Sequence, residues 1–163
     1  MNIVVTPYDP QWPARFRAES GLIQDILKDN LLHIYHIGST SVPGLMAKPV
    51  IDMMPVVRDL DQVDLLRKPF EALGYEYLGE FGMPGRRYLR KGGEDRTHQI
   101  HVFQYDSVYD ITRHLAFRKY LRCHPEACHE YSVLKSDLAQ RYPQDIGKYG
   151  DGKEDFVRLI ERK

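Results

Sequence analysis

Apolar residues recur at helical spacing in the N-terminal part of the chain. Phe16, Ile23 and Leu27 fall on one helical face, and Asp9 with the proline that follows it is a typical helix start. The pattern therefore predicts a first helix over residues 11–28.

Two apolar stretches then predict strands on either side of a turn of small residues. The first covers 33–37 and runs into the turn at 38–41, and the second covers 49–57 and is apolar on both faces except at Asp52. A run without alternation is typical of a strand buried inside a sheet. Pro55 favours an edge or a bulge instead, because proline cannot donate a hydrogen bond to a neighbouring strand.

The rest of the chain predicts a helix, three strands and three more helices. Short connections rich in glycine join the three strands and indicate antiparallel hairpins. The whole order predicts an α+β fold, with a mixed, mostly antiparallel sheet of about five strands backed by helices and a helical C-terminal third. The predicted bounds are 60–73 for the helix, 75–81, 86–91 and 99–104 for the strands, and 111–122, 125–141 and 152–161 for the last helices.

Composition places the chain among ordinary globular proteins. Its 163 residues predict a single domain over 1–163, large enough to bury a core without disulfides. Lys and Arg number 23, as do Asp and Glu, so the formal net charge is zero. Strong general binding to nucleic acid is not expected, because it requires an excess of basic residues.

The expected location is the cytoplasm, with no membrane partner. The N-terminus lacks the pattern of a secretory signal, and no apolar run approaches the roughly 20 residues that cross a bilayer. Cys123 and Cys128 are too sparse for a disulfide framework, so both thiols are expected to be reduced. No pattern in the chain indicates an oligomeric state.

The residues with the clearest chemistry lie between Gly38 and Asp52. A Gly-Ser turn after a strand lets backbone N–H groups and the Ser39 hydroxyl approach an anion closely. Asp52 is the only charge in its apolar strand, where an unpaired charge would be costly. Its partner is then a metal, a basic side chain or a set of hydrogen bonds, and an ion pair with Lys48 is the structural alternative.

The segments HIGSTSVPGL and AKPVID around this turn resemble the signature of the GrpB family, small bacterial proteins placed in the nucleotidyltransferase superfamily. The resemblance implies a nucleotidyltransferase-like fold for this chain. Similar segments continue in order along nearly the whole chain: PYDPQWP, GRRY, THQIHV, HLAFRKYLR, YSVLK, RYP and GKEDF.

In that superfamily, a Gly-Ser turn holds the triphosphate, and two acids one position apart on the next strand hold Mg²⁺. Gly38 and Ser39 match the turn, and Asp52 matches the first acid. The resemblance thus implies a nucleotide site with a divalent metal, Mg²⁺ or Mn²⁺. Met54 stands where the second acid belongs, and a thioether is unsuited to these ions, so the two-metal site is incomplete.

A later strand supplies a candidate for the third acidic position of the superfamily. Alternation places Gln99 and His101 on one face of the strand and His98 on the other. His101 opposite Asp52 would either complete a metal site or contact phosphate as an acid or donor. Asp52 and His101 are therefore the candidate catalytic and metal-binding residues, and Glu80 is a further candidate carboxylate.

Basic residues complete the candidates for phosphate binding. Arg86 and Arg87 lie in a predicted hairpin, where a guanidinium group can bind phosphate through two hydrogen bonds, and a solvated strand face is the alternative for Arg90 and Lys91. The candidate phosphate-binding set is Gly38, Ser39, Thr40, Lys48, Arg86, Arg87, His114, Arg118 and Lys153.

Pairs of residues four positions apart in the C-terminal helices share a helical face and predict either a pocket or a plain surface. These pairs are His114 with Arg118, and Tyr131 with Lys135. Cys123-His124 and Cys128-His129 do not have a familiar zinc spacing, so a helix junction with two buried thiols is the alternative to a zinc site.

Three functional hypotheses follow. The first is a nucleotidyltransferase-like protein that binds a nucleotide or other phosphorylated small molecule at the Gly-Ser turn, with Asp52 and a metal at the reacting phosphate. The second is a binding module that has lost turnover, which Met54 favours. The third is a metal-assisted phosphate hydrolase that uses His101 and Asp52.

Overall fold

The computed structural model describes residues 3–161, which form five strands, six α-helices and short 3₁₀ turns. The strands are β1 (Leu31–Ile37), β2 (Ile51–Val57), β3 (Tyr75–Tyr77), β4 (Arg86–Lys91) and β5 (His98–Gln104). The helices are α1 (Trp12–Leu27), α2 (Leu60–Asp64), α3 (Arg67–Ala72), α4 (Val108–Cys123), α5 (Pro125–Arg141) and α6 (Ile146–Glu161).

The strands form one mixed sheet in the order β1-β2-β5-β4-β3. Only the central β2–β5 pair is parallel; the β1–β2, β4–β5 and β3–β4 pairs are antiparallel. The predicted α+β class, the mostly antiparallel sheet and the two hairpins are confirmed. Because β2 and β5 are neighbours in the centre, Asp52 lies directly beside Gln99 in the parallel register.

The two faces of the sheet pack against different helices. Met53 and Ile100 point to the main core with α1 and α3, where Ile23 and Phe70 are fully buried. Met54 points to the other face and packs with Phe103 in a smaller cluster that α4 covers. Complete burial of such a side chain contributes about 1.5–3 kcal/mol. Asp52 shares the Met54 face, so it lies between the sheet and the C-terminal helices.

The predicted helix 60–73 is wrong as one element, because the chain breaks it into α2 and α3. The last helix begins at Ile146, six residues before its predicted start, and includes three glycines. The prediction began this helix at residue 152, whereas Gly147 and Gly150 already belong to α6. A Cβ on Gly152 would lie 2.4 Å from Cδ2 of Leu138, so this glycine permits close contact between α5 and α6.

Two features of the strands also differ from expectation. β3 ends at Tyr77, and the following loop contains Phe81 and several glycines at positive φ, which ends the extended conformation predicted to residue 81. Pro55 lies in an interior strand, not at an edge. The pairing of β2 with β5 joins Met53 to Ile100 and resumes at Val56 in the same register, so the missing donor interrupts the ladder without shifting it.

None of the helices within residues 3–161 combines the length and the apolar character needed to cross a lipid bilayer.

Candidate functional site

The turn after β1 brings the backbone against a carboxylate of the next strand. Gly38 has φ 71° and ψ −171°, a combination that essentially only glycine adopts. A Cβ on this residue would lie 2.7 Å from Oδ2 of Asp52. Residues Ser39–Ser41 then form a 3₁₀ turn, which Arg122 of α4 holds by donating hydrogen bonds of 2.7 and 2.9 Å to the carbonyl of Ser41.

Asp52 on β2 and His101 on β5 face each other, as the third acidic position of the superfamily implied. Their Oδ1 and Nε2 atoms are 3.2 Å apart, and Nη1 of Arg86 lies 3.4 Å from Nδ1 of the same imidazole ring. Because a guanidinium group can only donate, Nδ1 accepts and Nε2 carries the proton that is donated to Asp52. Both ring nitrogens are therefore engaged. His98 lies on the opposite face, as predicted, with Nε2 3.8 Å from Oε2 of Glu19.

Three lysines surround Asp52 at a small, partly open pocket that we call the lysine cavity. Its volume is about 120 Å³. Lys48 comes from the loop before β2, Lys135 from α5 and Lys153 from α6. Nζ of Lys135 lies 2.5 Å from Oγ of Ser39, and only 2% of the Lys135 surface is exposed. The residues that line the cavity are Ser39, Lys48, Val50, Asp52, Gln99, Lys135 and Lys153.

Burial and mutual repulsion lower the pKa values of the cavity lysines. Burial and, to a smaller extent, the charge of Lys48 lower the pKa of Lys153 to about 8, and Asp52 opposes this shift. Burial, Lys153 and Lys48 together lower the pKa of Lys135 well below its usual value. Nζ atoms of Lys48 and Lys153 lie 5.4 and 5.0 Å from the centre of the Tyr149 ring, which attracts both ammonium groups. One carboxylate thus faces three lysine amines, and a bound anion would favour the charged form of each of them.

The structure brings together only part of the predicted phosphate-binding set. Ser39, Lys48 and Lys153 line the lysine cavity, and Gly38 lies against Asp52. Arg86 lies behind His101, but Arg87 does not join them. Arg87 donates a 2.8 Å hydrogen bond from Nε to Asp64 of α2, on the other side of the sheet. Strand alternation separates Arg86 from Arg87.

Three further candidates have structural partners. Thr40 is buried, with its hydroxyl 2.8 Å from Nε2 of His36, and Arg118 donates to the His36 carbonyl at 2.9 Å. Glu80 accepts a 2.8 Å hydrogen bond from the Gly85 N–H in an exposed loop, so it does not supply a carboxylate to the site. The remaining candidate, His114, has its ring centre 6.0 Å from that of His101, at the edge of the site.

Lys135 and Gln99 line the cavity but were absent from the candidate set. The spacing of Tyr131 and Lys135 indicated a shared helical face, and Gln99 shares its strand face with His101. Neither pattern shows which face meets the turn, since Ser39 and Lys135 are 96 positions apart in sequence.

The residues around Asp52 do not fit a two-metal centre. Mg²⁺ and Mn²⁺ prefer several oxygen ligands, but Met54 is fully buried among apolar side chains. No group of three or more His, Cys, Asp or Glu side chains within residues 3–161 is arranged to hold a metal ion. His101 has both nitrogens engaged, and three lysines oppose a cation at Asp52. A divalent metal at Asp52 and His101 stays a prediction that this donor set does not support.

The Cys-His segment lies at the junction of α4 and α5, as the alternative to a zinc site predicted. Cys128 is buried but Cys123 is exposed, so the expectation of two buried thiols is wrong for Cys123. The imidazole ring of His124 stacks on the Tyr120 ring, with ring centres 3.9 Å apart, so this side chain has a structural contact at the junction.

The mixed sheet, the Gly-Ser turn and the helical C-terminal third define the fold of a nucleotidyltransferase. A solved Cid1 poly(U) polymerase has this fold, with a TM-score of 0.60 and 13% identity over 91% of this chain and 49% of that one. The sequence profile described as GrpB protein matches residues 2–163, and the chain belongs to the GrpB family.

Two relatives show how far the similarity extends. The crystal structure of conserved protein GrpB from Enterococcus faecalis has a TM-score of 0.95 and 50% identity, and the match covers 98% of this chain and 95% of that one. UPF0157 protein YqkA of Bacillus subtilis is 40% identical over 98% of this chain. The chain spans 46% of the length of that relative.

Proposed function

We propose that this chain binds a nucleotide or other phosphorylated small molecule at the lysine cavity. The observation that carries the proposal is the convergence of Lys48, Lys135 and Lys153 on the Gly-Ser turn. These lysines come from three separate elements, and each would gain a favourable partner from a phosphate oxygen. The similar Cid1 fold supports the nucleotide class, since that structure of Cid1 is bound to Mg 3'-dATP.

The size of the lysine cavity indicates which part of the ligand it would take. A space of about 120 Å³ is well below the roughly 300–1,000 Å³ of sites that enclose drug-sized ligands. The cavity would therefore receive phosphate groups, and a base or sugar would lie outside it. Hydrogen bonds to charged groups contribute about 1.5–3 kcal/mol each, so a few contacts would provide measurable affinity.

Calorimetric titration with ATP and with inorganic tripolyphosphate tests the proposal. We expect Lys153→Gln to weaken binding of both ligands at least tenfold, because it removes one cavity cation. Lys148→Gln is the matched control, since it removes an exposed lysine from the same helix. We expect its affinities to stay within twofold of the wild type. If neither ligand binds the wild-type chain, the proposal is wrong.

Of the three hypotheses, the donor set favours a binding module without turnover. Met54 stands at the position of an acid and is buried in the α4-facing cluster. Among residues 3–161, Asp52 is then the only carboxylate that lines the cavity. Incubation with a panel of nucleoside triphosphates and acceptors should yield no product. Release of pyrophosphate or phosphate at a rate that Asp52→Asn abolishes would instead support transfer or hydrolysis.

A further inference from the structure

The charge balance of the lysine cavity differs from that of a metal-dependent phosphate site. Such a site presents carboxylates, and bound cations then neutralise the phosphates. Here the side chains that line the cavity are three lysines and one carboxylate, together with neutral Ser39, Val50 and Gln99. The protein itself thus supplies positive charge at the place where metal ions would otherwise provide it.

We propose that Lys48, Lys135 and Lys153 take the place of divalent cations, so that the site binds a polyphosphate chain free of metal. The proposal rests on the proposed function and adds the form in which the ligand is bound. Divalent cations then compete with the site for the polyphosphate and weaken binding.

The positions of the lysines support this substitution. Lys135 approaches Ser39 Oγ to 2.5 Å, so one ammonium group lies at the turn that would hold the phosphates. Lys153 and Lys48 lie on the same Tyr149 ring, within 5.4 Å of its centre, which keeps two more charges together at the cavity. Each ammonium group has three donors and no acceptor, so it can contact phosphate oxygens but cannot ligate a metal.

The environment of Asp52 argues for the same conclusion. Its Oδ1 accepts a hydrogen bond from Nε2 of His101, and its Oδ2 lies so close to the Gly38 backbone that a Cβ there is excluded. A cation at Asp52 would have one carboxylate as its ligand, and that carboxylate already accepts a hydrogen bond. The three neighbouring lysines would repel the cation. The three lysines attract a polyphosphate, and Asp52 is the lining side chain that repels it.

The first test uses the wild-type chain, so it does not depend on the folding of any variant. Calorimetric titration with tripolyphosphate is carried out in EDTA and again with Mg²⁺ or Mn²⁺ in excess of the ligand. We expect binding in EDTA, and an apparent affinity at least threefold weaker when the metal is present. Binding that requires Mg²⁺ or Mn²⁺ would overturn the inference.

The second test asks whether Asp52→Asn strengthens or weakens the binding of tripolyphosphate. The titration is done at pH 6, well below the Lys153 pKa of about 8, so that the loss of Asp52 does not discharge this lysine. Removing the negative charge then reduces repulsion of a metal-free polyphosphate, so we expect at least threefold tighter binding. A site that binds through a metal would lose affinity, because its one carboxylate ligand is gone. Asp25→Asn is the control for net charge, since Asp25 is exposed on α1, across the sheet from the cavity. The affinity of this variant for tripolyphosphate should stay within twofold of the wild type.

The outcomes separate this inference from the proposed function. Tighter binding by Asp52→Asn together with binding in EDTA supports the lysine substitution. Metal-dependent binding that Asp52→Asn weakens overturns it, while binding of phosphorylated ligands still stands. Absence of tripolyphosphate binding under every condition overturns the proposed function, and the inference with it.

Discussion

Gly38→Ala tests the close contact between the Gly-Ser turn and the carboxylate of β2. The substitution places a side chain on a backbone with φ 71° and ψ −171°, which costs about 1–3 kcal/mol for residues other than glycine. The new Cβ would lie 2.7 Å from Oδ2 of Asp52, so the turn or the carboxylate must shift. Shifts forced by overpacking cost about 1–3 kcal/mol more. We therefore expect a loss of about 3 kcal/mol or more in the free energy of unfolding.

Urea unfolding of matched variants separates the two contributions. Gly44→Ala is the control, because Gly44 also has positive φ, 84°, but a Cβ there would meet nothing within 4 Å. We expect this control to lose only about 1–2 kcal/mol. In an Asp52→Ala background, Gly38→Ala should cost at least about 1 kcal/mol less than in the wild type, since the crowded partner is absent.

The same variants report on ligand binding. Because Ser39 follows the strained residue directly, Gly38→Ala should weaken tripolyphosphate binding at least tenfold, and Gly44→Ala should leave it within twofold. Equal losses of stability in the two alanine variants, or a Gly38→Ala cost that Asp52→Ala does not change, would refute the close contact.

Two further predictions concern stability away from the cavity. Burial lowers the pKa of His36 to about 4, against an ordinary value of 6.5, so the unfolded chain binds more protons and stability falls as pH drops through this window. Wild type should lose about 2 kcal/mol more than His36→Gln between pH 7 and pH 5 in urea unfolding, and parallel curves would contradict this. Gly150→Ala should raise the thermal midpoint, because the helix gains about 0.5–1 kcal/mol and its Cβ meets nothing within 4 Å. Gly152→Ala should lower it, because its Cβ would lie 2.4 Å from Leu138; a rise in both variants would exclude the close packing of α5 on α6.

Strand alternation predicted the arrangement within the sheet well. It placed His101 and His98 on opposite faces of β5, and the resemblance to the superfamily placed His101 opposite Asp52. The structure shows both. The period of two in a strand defines both faces once the strand is recognised, so a local pattern suffices. The position of Met54 beside Asp52, on the same face, followed from the same rule.

Helix boundaries were predicted less well, because tertiary contacts compensate for unfavourable local residues. α6 contains glycines that favour a boundary in isolation, yet Gly152 is needed where α6 meets Leu138 of α5. Arg87 was predicted to bind phosphate because a guanidinium group is suited to that ligand. Its partner is Asp64, 23 positions away, and no local pattern predicts that pairing.

The sequence by itself determined the class of fold, the Gly-Ser turn and a single acidic side chain on the strand that follows, because each depends on residues close together in the chain. The tertiary structure alone decided that Lys48, Lys135 and Lys153 meet at that turn. Their convergence depends on how α5 and α6 pack against each other and against α4, and that geometry arises from side-chain contacts over long sequence separations. Whether the cavity attracts an anion or a cation is therefore a property of the folded chain.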